Sequence, residues 1–331
     1  MGKFILKKID ELDDKKWLEL LKNSNFTTFF HTKPWFLVWK KSYPQTDFYL
    51  FLLEDQEKNY LAGLPFWVKK KFGLKKFFSL PFGTYGGFVF DKKLGEKEVF
   101  FFINRCIETL KGWNVLKIEV VDFFKKFDFL ESLGFQPREY FTHLLDLNNF
   151  FENDSYRGFT KKRREAIRQS EKRGVWIKDV ESEAEVEKCY ELTLATYSRY
   201  KIKKPKYPLL LFRNIFKIMQ GQPYLKWVIA KKDEKIIGSL INFAFRDMVC
   251  AWEGASDYTY QSLRPNDALC FHSILWAKKN NFKIYNFGAT PEKALGMLRF
   301  KESWGTKKRY YKIWEWESFC GRVLEKTRKL V

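Results

Sequence analysis

The chain is 331 residues long, which suits two domains of about 150 residues better than one ordinary core. With 45% hydrophobic and 19% aromatic residues, 35 of them Phe, it can bury a large interior, which excludes a disordered chain. Its 61 Lys and Arg against 40 Asp and Glu leave a net charge of +21, which attracts polyanions: nucleic acid, phosphorylated small molecules or an anionic membrane face. A Lys-rich, solvated surface is the plainer reading of the same charge.

The five cysteines, at 106, 189, 250, 270 and 320, stand singly, and only three His occur. That spacing excludes the usual zinc sites and fits reduced, buried thiols. The start has no apolar run of signal-peptide length, and no segment approaches about 18 uncharged apolar residues. The expectation is a cytoplasmic chain with no transmembrane segment, peripheral at most to the inner face of the membrane.

In chain order, "DDKKWLELLKNS" from Asp13 predicts a helix with Trp17, Leu20 and Leu21 on one face. "KPWFLVWKKSYP" predicts another, stopped by Pro44. "DFYLFLLED" and "NYLAGLPFWVKKKFG" alternate and read as a hairpin, followed by a Gly-rich turn into a strand at "SLPFGTYGGFVFD". "KEVFFFINRCIETLKG" is an amphipathic helix and "NVLKIEVVD" a strand. "FKKFDFLESLG" is a short helix capped by Gly134, and "FTHLLDL" a further strand. The polar, turn-rich "DLNNFFENDS" places the domain boundary, giving domains 1–149 and 150–331.

Beyond it, Ser155 is expected to cap a basic helix through Arg173, ended by Gly174. Tyr156, Phe159, Ala166 and Ile167 would form its buried stripe. A strand at "VWIKDVE" and two helices follow, then a three-stranded meander with turns at Lys232–Glu234 and Arg246–Asp247. A helix begins after Pro265, and the strands "FKIYNFG" and "RYYKIWEW" close the chain. Both halves thus combine helices, an antiparallel meander and a crossover helix, an α/β class with mixed sheets. In the second half a strand leads through a polar loop to a helix N-terminus and on to a strand. That is the layout of the GCN5-related N-acetyltransferase (GNAT) fold, whose helix N-terminus receives a phosphate-bearing acyl donor.

Five stretches carry a more specific likeness: "FFHTKPWFLVWKKSYP", "LPFGTYGGFVFD", "FTKKRREAIRQSEKRGV", "WEGASDYTYQSLRPNDALCFHSILWAKKNNFKIYNFGAT" and "GMLRFKESWG". Through them the chain resembles the Fem-type aminoacyltransferases of peptidoglycan interpeptide bridges and their tandem GNAT-fold relatives. The resemblance implies transfer of an aminoacyl group from aminoacyl-tRNA to an amine of an envelope precursor, with other relatives using acyl-CoA. It implies tRNA and a phosphorylated or nucleotide-linked precursor as partners. The donor is then a co-substrate, and no metal or resident cofactor is needed.

Lys301 occupies the family's lysine position in "RFKESWG", where a cation would stabilise the oxyanion formed as an amine attacks an ester. Phe300 and Trp304 would wall the donor site or stack on its terminal base, with Arg299 a weaker contact. Asn266 marks the helix start, although "SLRPNDA" lacks the glycines with which the fold's usual CoA signature wraps a pyrophosphate. Glu253, in "AWEGAS", lies where this fold often carries a general base; a plain ion pair with a lysine is the alternative. Arg199 matches a family arginine on the acceptor's diphosphate, with Tyr197 and Lys201 beside it, Lys40, with Lys41 as the alternative, as its counterpart in the first domain, and Tyr85 at the Gly-rich turn. Arg157, Lys161, Lys162, Arg163, Arg164 and Arg168 would form a phosphate track on the basic helix, unless they are simply a solvated face. Two rival functions stay open: an acyl-CoA-dependent N-acyltransferase acting on an envelope sugar or lipid amine, and a non-catalytic module binding RNA or an anionic membrane.

Overall fold

The structure is a computed structural model and describes residues 2–25, 27–71, 73–81, 84–148, 159–202, 204–291 and 293–323. In chain order its elements are β1 (Lys3–Lys8), α1 (Asp14–Asn23), α2 (Lys33–Ser42), β2 (Asp47–Glu54), β3 (Tyr60–Lys71), β4 (Leu74–Phe78), β5 (Val89–Phe90), α3 (Glu96–Lys111), β6 (Val115–Asp122) and β7 (Gln136–Asp146). They continue with α4 (Lys161–Lys172), β8 (Val175–Asp179), α5 (Glu183–Arg199), α6 (Leu209–Met219), β9 (Leu225–Lys232), β10 (Lys235–Phe245) and β11 (Met248–Ser256). The last are α7 (Pro265–Lys279), β12 (Ile284–Ala289), α8 (Leu295–Glu302) and β13 (Lys307–Glu317).

Contacts divide the chain into two units, Met1–Tyr140 with Tyr310–Val331, and Phe141–Arg309. In the first unit β1, β2, β3 and β4 form an antiparallel meander, with β5 beside β3. The crossover helix α3 then returns the chain so that β6 pairs parallel with β4. The sequence explains α3: Gly95 at its N-cap, Glu96 and Glu98 in the first turn and Lys111 in the last complement the helix dipole. Phe102, Ile103, Cys106, Ile107 and Leu110 make its buried stripe. They pack with Phe51, Phe66, Ile118 and Trp314 into one core. Each such side chain contributes about 1.5–3 kcal/mol by leaving water.

The second unit repeats the plan. Its strands β8, β9, β10 and β11 are antiparallel, helix α7 crosses over, and β12 pairs parallel with β11. The 142–146 stretch of β7 then flanks β12 antiparallel. The turns expected at Lys232–Glu234 and Arg246–Asp247 carry Asp233 and Arg246 at φ +53 each.

Several expectations change. The domains do not part at 149/150. Residues from Tyr310 onward belong to the first unit because β13 pairs with β6 from Lys312↔Asp122 to Glu317↔Lys117. Residues from Phe141 already belong to the second, where β7 pairs with β12. Strand β1 was not anticipated. The short helix expected near Gly134 is a 3-10 turn at Asp128–Glu131. Helix α4 has Thr160 as its N-cap, its hydroxyl accepting from Arg163 N, rather than Ser155. Ser155, Tyr156 and Arg157 lie outside the described residues. Residues 295–302, to which the sequence pattern assigns no element, form a two-turn helix.

Candidate active site

Lys301 is 7% exposed. Its Nζ donates to the carbonyl oxygens of Gly288 at 2.7 Å and Ala289 at 3.2 Å, at the end of β12. Among the described residues these are its only polar contacts, so one of its three N–H donors is uncommitted. Among the described residues no carboxylate pairs with the ammonium, and burial pulls its pKa down to about 8.

The carbonyl at Gly288 is available because β12 bends there. Gly288 has φ +76, and a Cβ would come within 3.0 Å of the Ala251 carbonyl. The parallel pairing of β11 with β12 covers only Met248↔Ile284, Val249↔Tyr285 and Cys250↔Asn286. Beyond it the two strands are no longer paired. Glu253 on β11 and the Lys301 acceptors on β12 both lie just past that point.

Glu253 is half-buried and accepts a hydrogen bond from the Tyr197 hydroxyl at 3.2 Å. Burial raises its pKa to about 7, against the opposing pull of the Lys206 charge and of Tyr197. A carboxylate titrating near neutrality can accept a proton from an ammonium nucleophile. Tyr197 is thus a buried partner of Glu253 rather than a group open to a phosphate. Asp257 is occupied locally, accepting from Thr259 N and pairing with Lys235 at 3.1 Å.

The first turn of α7 is already filled. Arg264 is its N-cap at φ +60 and turns its own N–H back to Gln261 O. Pro265 has no N–H, and Asp267 and Ala268 both donate to Arg264 O. Among the described residues only the Asn266 amide is left facing outward; the Asn266 side chain donates to Ser256 Oγ at 3.0 Å. The Asp267 carboxylate, buried at this positive helix end, pairs with Arg163. A pyrophosphate seeking several amides would meet one amide and a carboxylate.

Arg163 therefore leaves the expected phosphate track. It is on the stripe with buried Ala166, Ile167 and Ser170, and its guanidinium covers the rings of Phe300 at 4.3 Å and Trp304 at 5.0 Å. Trp304 is 0% exposed, edge-on to Phe159 at 4.9 Å, so it is a core residue and cannot stack on a donor base. Half-buried Phe300 is held under Arg163, and Arg299 is exposed. Arg164 is half-buried and donates to Phe159 O at 2.7 Å. Lys161, Lys162 and Arg168 remain on the exposed face of α4.

Arg199 is exposed at the end of α5, its guanidinium 5.1 Å from the Tyr200 ring and 5.0 Å from the Tyr258 ring. The two tyrosines, 61% and 57% exposed, hold an arginine fork at the surface, an arrangement suited to phosphate oxygens. Lys201 is exposed too, at φ +57.

In the first unit, Lys40 pairs with the Asp10 carboxylate, so its charge is engaged. Tyr85 is 5% exposed and packs against Phe30, Phe123 and Tyr311, and its carbonyl accepts from Thr28 Oγ1 at 2.5 Å. Gly87, at φ +118, has no room for a Cβ, which would come 2.2 Å from Val121 O. This Gly-rich turn is a packing device. A cavity of about 420 Å³ lined by Trp227, Lys226 and Trp276 opens beside the C-terminal half of α7 and contains none of the predicted residues.

Sequence reasoning missed Asp267, Gly288, Ser303 and His143. His143 is fully buried, and burial first, then the charge of Lys301, lowers its pKa. Asp267 could have been read from an acid in a helix's first turn. The others carried no local signal.

Residues 157–302 match the family described as the acetyltransferase (GNAT) domain, so the second unit carries an acyltransferase-family domain. No curated protein matches the chain. Among solved structures, FemX is similar with a TM-score of 0.72 and 13% identity, over 94% of this chain and 96% of that one. L-PGS from Bacillus licheniformis is similar with a TM-score of 0.60 and 14% identity, over 96% of each chain. A tandem GNAT protein from the clavulanic acid biosynthesis pathway has a TM-score of 0.60 and 10% identity, over 96% of this chain and 98% of that one. At these identities the likeness carries the fold.

Proposed function

We propose that this chain, an acyltransferase of the Fem-type tandem GNAT fold, transfers an aminoacyl group from aminoacyl-tRNA to an amine of a phosphorylated cell-envelope precursor. The observation that carries the choice of donor is the first turn of α7. With Pro265 lacking an N–H, the Asp267 amide bonded back to Arg264 O and the Asp267 carboxylate already paired with Arg163, it offers a CoA pyrophosphate a single open amide. A donor recognised elsewhere along a basic surface meets no such obstacle.

In this reading the acceptor amine, having lost its proton to Glu253, attacks the ester carbonyl. The C–N bond forms, and the carbonyl oxygen takes up negative charge. The uncommitted N–H of Lys301 stabilises that oxyanion, a contribution of roughly 3–4 kcal/mol for a preorganised donor. The C–O bond then breaks, the ribose oxygen leaves with the proton that the attacking nitrogen gives up, and a neutral amide remains. Arg199 holds the acceptor's phosphate.

The test is to incubate the protein with labelled aminoacyl-tRNA or acyl-CoA pools and nucleotide-linked peptide precursors, and to follow product mass. A ribonuclease-sensitive gain of one aminoacyl residue supports the reading. A gain driven by acyl-CoA overturns the donor; the match of the second unit to acetyltransferases keeps that rival in the assay. No product from either pool, with Lys301→Met retaining the biological role, overturns the enzyme reading in favour of a basic binding module.

A further inference from the structure

Helix α8 is eight residues long and has no side-chain cap at its N-terminus. A helix of two turns is not stable alone, so contacts with the rest of the unit decide where it sits. Lys301 itself ties the helix to Gly288 O and Ala289 O, and most of the other contacts at its C-terminal end involve one side chain, Arg163. Arg163 Nε and Nη2 both donate to Ser303 Oγ, at 2.9 and 2.7 Å. Ser303 Oγ donates in turn to Phe300 O at 2.6 Å, closing the last turn of α8. The same guanidinium lies over Phe300 and Trp304, the residues flanking Lys301 and Ser303. Its remaining arm pairs with Asp267 in the first turn of α7. One backbone bond, Thr160 N to Ser303 O at 3.1 Å, runs alongside.

We propose that Arg163 is a positioning residue for acyl transfer: its guanidinium holds the helix bearing Lys301 in register with the first turn of α7. The inference rests on the reading of Lys301 as the oxyanion donor. Only arginine has a rigid fork able to serve Ser303, Asp267 and two ring faces at once; a lysine ammonium offers a point charge. The side chains of Arg163 and Asp267 are 11% and 8% exposed, so water does not replace these contacts. A shift of about 1 Å in a group that must meet an oxyanion costs on the order of 10²-fold in rate.

Two variants test it. Arg163→Lys keeps a charge opposite Asp267 and loses the fork, and Ser303→Ala removes one arm and leaves the ion pair. Each is assayed for transfer and for the titration of Lys301, read by competitive acetylation across pH with mass spectrometry of the 301 peptide. Both variants are expected to lower kcat by about tenfold or more with KM unchanged. Both should also move the Lys301 midpoint from about 8 toward the ordinary 10.5 as α8 loosens and the amine meets water. A lower melting temperature with wild-type kcat and wild-type Lys301 titration would make Arg163 a stability clamp and overturn the proposal. If Arg163→Lys does not fold, Ser303→Ala decides. If the wild-type protein shows no transfer, the proposed function has failed, and the titration arm alone still decides whether Arg163 sets the state of Lys301.

Discussion

Lys117 in the first unit and Lys301 in the second are 9% and 7% exposed, and their surroundings are opposite. Around Lys117 stand Glu119 at 2.9 Å, Glu315 at 3.0 Å and Glu317 at 3.8 Å. Burial pulls the Lys117 pKa down, but the bonds and charges of Glu119 and Glu315 outweigh it and leave the pKa raised. Around Lys301 are two neutral carbonyls, and burial wins. A cation surrounded by its counter-charges has no further use for an anion. A cation solvated only by dipoles is stabilised when an anion forms beside it, which is the property an acyl-transfer site needs.

The two lysines also couple to folding with opposite sign. Lys301 binds its proton more weakly folded than unfolded. Its penalty, about 3 kcal/mol, is therefore present below pH 8 and released as pH rises from about 8 to 10.5. Lys117 binds its proton more tightly folded. Its contribution is present below the unfolded value of 10.5 and lost as pH rises through the higher folded value.

The contrast can be broken at four points. Lys117→Met takes the shared cation from Glu119 and Glu317 and leaves Glu315 with Arg138 alone at 2.9 Å; it is expected to cost about 3–5 kcal/mol of stability by denaturant titration, with activity per folded molecule retained. Lys301→Met is expected to do the reverse, lowering kcat roughly 10²–10³-fold with circular dichroism and oligomeric state unchanged. If both variants lose stability alike, the distinction between them is wrong. The pH profile sharpens it. Activity should rise through about 7 as Glu253 ionises and fall above about 8 as Lys301 loses its proton. Glu253→Gln should remove the acidic limb and lower kcat about 10²-fold; an unaltered acidic limb excludes Glu253 as the base. The smallest effect is at Arg199, where alanine should raise KM for a phosphate-bearing acceptor about tenfold and leave kcat alone.

How much of this was legible depended on whether the signal was local. The meander of β9 to β11 followed from alternation and turn residues, and α3 from its periodic stripe. The return of β13 to the first unit was hidden, because it depends on pairing Lys312 with Asp122 across the length of the chain. Lys301 stood out through its motif, while its two acceptors depend on a bend at Gly288 that no periodicity announces. Arg163 was misassigned although its stripe was visible: residues 163, 166, 167 and 170 share one helix face, and that face is buried. Four basic residues in a row masked the one that turns inward. Lys40 and Tyr85 show the converse, since each matched a motif and each is held by partners inside its own unit.

The bend at Gly288 has a consequence for tracing this chemistry in distant chains. Its carbonyl meets an ammonium thirteen positions downstream, and any side chain at 288 would press on the Ala251 oxygen. A side chain at 288 is therefore expected to unseat the lysine as well. A glycine near the end of a strand, thirteen positions ahead of a lysine on a short helix, is a pairing that such searches can test.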